Sequence, residues 1–149
     1  MKSIDAQTEA LPNTPRFTIR LSSTGRGARL ARRLVAQQLA AWGVPYGSEA
    51  SDAACAVTAE LAANAVTHGR LPGRDFRLAL LRFQGHVRIE VTDARPERLP
   101  PTVLSAEPRP LTANSGRGLL LVAAYAERWG CEVRTTCTKT VWVEIACPR

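Results

Sequence analysis

The run Glu60-Leu61-Ala62-Ala63-Asn64-Ala65-Val66-Thr67-His68-Gly69 holds the side chains best suited to chemistry in this sequence. At about 100° per helical residue, Ala54, Val57, Leu61 and Ala65 form an apolar stripe, and Glu60, Asn64 and Thr67 form a polar stripe along its edge. A carboxylate and an amide one turn apart can then point into a single cleft. Asparagine is a poor helix former because its side chain competes for backbone hydrogen bonds, so its place in mid-helix asks for a reason. Its amide oxygen is a hard ligand of the kind Mg²⁺ takes. The plainer alternative is a solvated helix edge.

Two further features could serve a ligand. Asp93 ends the apolar stretch Val87-Arg88-Ile89-Glu90-Val91-Thr92, where a lone carboxylate can accept a hydrogen bond from an exocyclic amine. It can equally be a turn-forming aspartate. Gly116-Arg117-Gly118 opens an apolar helix, which lets the backbone pass close to a phosphate and aims free N–H groups at it. A flexible hinge followed by a helix start explains the same residues.

The elements that must position these groups follow from periodicity. Phe17-Thr18-Ile19-Arg20-Leu21 alternates apolar and polar side chains, the period of a half-buried strand. Ser22, Ser23 and Thr24 offer a cap to a helix from about Arg26 to Trp42. There Ala31, Leu34, Val35, Leu39 and Trp42 share the core face, and Arg26, Arg29 and Arg33 form a basic stripe able to meet an acidic protein surface. Gly43 and Pro45 end it. Ser48 or Ser51 can cap a second helix, with Gly69 as its stop. Strands are expected over Phe76–Phe83 and His86–Asp93, joined by a tight Gln84-Gly85 turn. Residues 94–115 carry five of the ten prolines and almost no periodic pattern, as a functional lid would. A third, largely buried helix should run from Gly118 to Gly130, followed by a hairpin of Cys131–Thr136 and Thr140–Ile145.

This order predicts an α+β fold, a two-layer sandwich with about three helices on one face of a mixed, mostly antiparallel sheet. Residues 1–16 read as a loose leader, 17–146 as one domain and 147–149 as a tail; 149 residues suffice for one core. No stretch matches a secretory signal or a membrane span, so a cytoplasmic protein with no membrane partner is expected. The four cysteines lack Cys-x-x-Cys spacing, and His68 and His86 sit alone, so reduced thiols are expected in place of a metal site. The net charge of +7 is almost all arginine and spread along the chain, and only 5% of residues are aromatic. Acidic proteins or nucleotide phosphates suit that balance, and direct nucleic-acid binding is not expected.

Taken together and in this order, the motifs resemble the GHKL superfamily of ATP-binding domains, in particular its small anti-sigma-factor serine kinase branch. Glu60–Gly69 resembles its N box, Asp93 its adenine-binding aspartate, Gly116-Arg117-Gly118-Leu119 its second glycine box, and Lys139-Thr140-Val141-Trp142 its closing strand. The resemblance covers roughly residues 17–146 and implies a Bergerat-type fold with ATP and Mg²⁺ as cofactors. By the same resemblance, Asn64 coordinates Mg²⁺, Glu60 orients or deprotonates an attacking hydroxyl, Asp93 and Thr140 recognise adenine, and the 116–119 turn closes over the phosphates. It also implies partners, a sigma factor and an anti-anti-sigma antagonist, with a homodimer left open. The implied activity is a protein serine/threonine kinase controlling transcription by partner switching, or else a nucleotide-binding regulator without phosphotransfer. The sequence departs from the pattern after Asp93, where Ala94-Arg95-Pro96-Glu97 lacks the family's glycines and Pro96 fixes φ and removes an N–H.

Overall fold

A computed structural model describes residues 14–97, 122 and 124–148. Within them, strand β1 (Arg16–Leu21) leads into helices α1 (Gly25–Ala41) and α2 (Glu49–Thr67). Strands β2 (Phe76–Phe83), β3 (His86–Asp93), β4 (Arg128–Thr135) and β5 (Thr138–Ala146) follow. The sheet order is β1-β2-β3-β5-β4, and every neighbouring pair is antiparallel. The expected α+β sandwich is therefore present, and the sheet, expected to be mostly antiparallel, is antiparallel at every described pairing. None of the described helices is long and apolar enough to cross a membrane.

Local chemistry sets the element ends. The Thr24 hydroxyl accepts the Gly27 N–H at 3.1 Å, and Ser48 Oγ accepts the Ser51 N–H at 3.3 Å, each satisfying an orphan donor worth about 1 kcal/mol. Between β2 and β3, Gln84 and Gly85 take φ of 48° and 77°, the two positive angles of a hairpin turn that follows the twist of its strands.

The core lies between the helices and one sheet face. Ala31, Val35 and Leu39 of α1 and Ala54, Val57, Leu61 and Ala65 of α2 are buried as their helical phase requires. They meet Phe76, Leu78, Leu80, Val87, Ile89, Val91, Val143 and Ile145, the alternate residues of β2, β3 and β5. Full burial of each such aliphatic side chain is worth roughly 1.5–3 kcal/mol. Arg26, Arg29 and Arg33 are exposed on the far side of α1.

The second sheet face carries the intervening residues. Arg16, Thr18, Arg20, Arg77, Thr92 and Thr140 line a cleft of about 570 Å³ there.

The expected third helix lies mostly outside the described residues. Val122, Ala124 and Tyr125 are helical, and β4 begins at Arg128. Gly130 is thus a strand residue and not the helix stop. It pairs with Trp142 across the sheet, and a Cβ there would come within 2.8 Å of the indole ring.

Candidate functional site

The C-terminal turn of α2 is fastened to the end of β3. Gly69 N–H donates to the carbonyls of Asn64 and Ala65, both at 3.1 Å, which closes the helix. The chain then passes so close to Asp93 that a Cβ on Gly69 would overlap its carboxylate. Arg95 Nη1 reaches Arg70 O at 3.4 Å and ties the two segments again. Asn64 and Glu60 lie one and two turns back from this junction on the helix, half-buried, and neither side chain has a hydrogen-bond or ion-pair partner among the described residues. Thr67 is exposed.

Asp93 accepts three hydrogen bonds from the chain. Lys139 Nζ donates to Oδ1 at 2.9 Å and Oδ2 at 2.8 Å, and the Arg95 N–H donates to Oδ1 at 2.9 Å. The third ammonium proton has an acceptor as well, the Arg95 carbonyl at 3.0 Å. The two side chains are 8% and 4% exposed, so this ion pair is buried and satisfied. Burial pushes the Asp93 carboxyl above the usual carboxylate range, against the opposing pull of Lys139 and the Arg95 N–H. The bond from Arg95 N–H also makes Asp93 a turn-forming aspartate, so that plainer reading holds too.

Thr140 does not join Asp93. Residues 139 and 140 point to opposite faces of β5, and the register sets Lys139 opposite Asp93 and Thr140 opposite Thr92. The hydroxyls of Thr92 and Thr140 share a hydrogen bond of 2.6 Å on the second sheet face. Asp93 and Thr140, the two residues that the resemblance gives to adenine, thus lie on opposite faces of the sheet, and the residue bonded to Asp93 is Lys139. Gly116, Arg117, Gly118 and Leu119 lie outside the described residues.

A family model for the histidine kinase-like ATPase domain matches residues 21–144, most of the chain and every element from α1 onward. The chain belongs to that family. This ATPase-domain chain is 52% identical over 50 residues to an uncharacterized protein of Streptomyces coelicolor, a match covering 34% of the chain and 45% of that protein. The chain thus spans less than half the length of that relative. Among solved structures it is similar to the RsbU and RsbW domains of Rv1364c from Mycobacterium tuberculosis, at a TM-score of 0.59 and 19% identity over 91% of this chain and 34% of that one. It is also similar to a chain of the SiaB-SiaC complex from Pseudomonas aeruginosa, at 0.58 and 13% identity over 95% and 96% of the two chains. At these identities the likeness establishes the fold.

The residues of this ATPase domain fit a nucleotide unevenly. Asn64 offers a hard oxygen and Glu60 a carboxylate on an accessible helix edge, which suits Mg²⁺ held largely by phosphate oxygens. At the other end, the carboxylate that would accept an adenine amine already accepts three hydrogen bonds from the chain itself.

A second buried cluster escaped the sequence reading. On the second sheet face Arg88, 0% exposed, donates to Glu90 at 2.7 Å and to Glu144 at 2.9 Å. Glu144 also receives Arg128 at 2.6 Å. The Arg88 guanidinium stacks 4.3 Å from the Trp142 ring centroid, which offsets part of the cost of its Nη2 having no hydrogen-bond partner among the described residues. Alternation alone places Arg88 and Glu90 on one face. Their meeting with Glu144 needs the β3–β5 register, which no local signal states.

Proposed function

We propose that this chain is a partner-switching regulator of transcription of the anti-sigma type, which holds a sigma factor or its antagonist protein and acts by binding in place of phosphoryl transfer. The observation that carries this reading is the closed Asp93–Lys139 pair, in which the carboxylate that would receive the base already accepts three hydrogen bonds from the chain. The likeness to a chain of the SiaB-SiaC complex, which spans nearly all of both chains, supports a protein-binding role. A partner of that class places the chain in the cytoplasm.

A second reading, a protein serine/threonine kinase, is favoured by one specific feature. Glu60 and Asn64 are one turn apart, half-buried and unpartnered among the described residues. Asn64 would hold the Mg²⁺ that neutralises nucleotide phosphates, and Glu60 would take the proton of an attacking hydroxyl. Assaying phosphate transfer to co-purified partners, with Glu60→Gln alongside, separates the two readings.

A further inference from the structure

We propose that Lys139 is an internal occupant of the base-recognition carboxylate, so that an adenine nucleotide reaches Asp93 only by displacing the Lys139 ammonium. The proposal rests on the reading of Asp93 as the base contact of the nucleotide site, and it deepens that reading by naming what regulates access.

The geometry is that of a ligand already bound. An exocyclic amine presents N–H donors to a carboxylate, and Lys139 Nζ presents the same donors to both Asp93 oxygens from within β5. Its remaining proton goes to the Arg95 carbonyl, so the ammonium is fully satisfied where it stands. Oδ1 already has a second donor in the Arg95 N–H, and Gly69 packs against the Oδ2 side. Three of the roughly four acceptor directions of the carboxylate are taken, and the remaining one, on Oδ2, is crowded by Gly69.

Residue size and register make the lock specific to position 139. Lys139 sits directly opposite Asp93 in the β3–β5 ladder and on the same face, so its side chain needs no loop movement to reach the carboxylate. A threonine at that position would be too short to bridge both oxygens and would leave the carboxylate open to a ligand. Displacing Lys139 also leaves a buried ammonium without its counter-charge, a penalty each binding nucleotide must overcome.

The test is titration of the whole chain with MgATP and MgGTP, comparing wild type with Lys139→Thr and Lys139→Met. The methionine variant keeps the volume and removes the donors, and so reads the same effect if the threonine variant folds poorly. The proposal expects weak wild-type binding with ATP and GTP alike. It expects a gain of about tenfold or more for ATP in the variants, the worth of one hydrogen bond to a charged acceptor, with no matching gain for GTP. Adding Asp93→Asn to either variant should remove the gain. Wild-type binding of ATP that Lys139→Thr and Lys139→Met leave unchanged or weaken overturns the lock while leaving the nucleotide site standing. Absence of binding by wild type and both variants at millimolar nucleotide removes Asp93 as a base contact, and the lock with it.

Discussion

Gly69 and Asp93 pack so closely that the only side chain the junction tolerates at position 69 is a hydrogen atom. Gly69 does not take a positive φ, so the constraint is space and not backbone conformation. Substituting Gly69→Ala pushes a methyl group into the carboxylate and forces Asp93 off Lys139. A loss of about 1–3 kcal/mol, the usual cost of overpacking, is expected in urea unfolding. An unchanged unfolding midpoint would show that the two segments are not in contact.

The Arg88 cluster should be worth more to the fold than to any ligand. Among the described residues, removing Arg88 leaves Glu144 buried with only Arg128 and leaves Glu90 unpaired, so Arg88→Ala should cost roughly 3–5 kcal/mol. Changing Arg88→Met with Glu90→Gln and Glu144→Gln removes the buried guanidinium together with both carboxylates it pairs and should cost much less. Equal losses in the single and combined variants would mean that packing against Trp142, and not charge, is what Arg88 supplies.

His86 gives the surface a mild pH dependence. Its Nε2 lies 2.7 Å from Glu127 Oε1, and that hydrogen bond raises the imidazole above its ordinary value of about 6.5. Because the folded value is raised, the stabilisation is complete below the unfolded value and disappears as the pH rises through the folded one. The pair is 33% and 52% exposed, so screening holds its worth below about 1 kcal/mol. His86→Gln should therefore lower stability slightly at about pH 6 and leave it unchanged at about pH 9. A difference of the same size at both values would point to lost packing instead.

Much of this fold was legible because its signals are local. Alternation fixed β1, helical phase fixed the buried faces of α1 and α2, and the Gln84-Gly85 pair fixed the β2–β3 turn. The stop of the third helix was misread because Gly130 ends helices and also relieves crowding in strands, and only its partner Trp142 decides between the two. The partner of Asp93 was within reach of the sequence. Val141, Val143 and Ile145 mark the core face of β5, and the same period places Lys139 on that face and Thr140 on the other. The Arg88–Glu144 contact was out of reach, because strand register is a tertiary property.

Whether this chain regulates by binding or by phosphate transfer is decided most directly by intact-mass measurement of the chain with its co-purified partner, before and after MgATP, for wild type and Glu60→Gln. Glu60 is the side chain on the α2 edge able to take a proton from an attacking hydroxyl, and removing such a base typically lowers a rate by about a hundredfold or more. Binding as the mode of action predicts an intact complex in which neither protein gains phosphate, with wild type and Glu60→Gln behaving alike. Phosphate appearing on a serine or threonine of the partner with wild type, and lost with Glu60→Gln, would contradict it and establish the kinase.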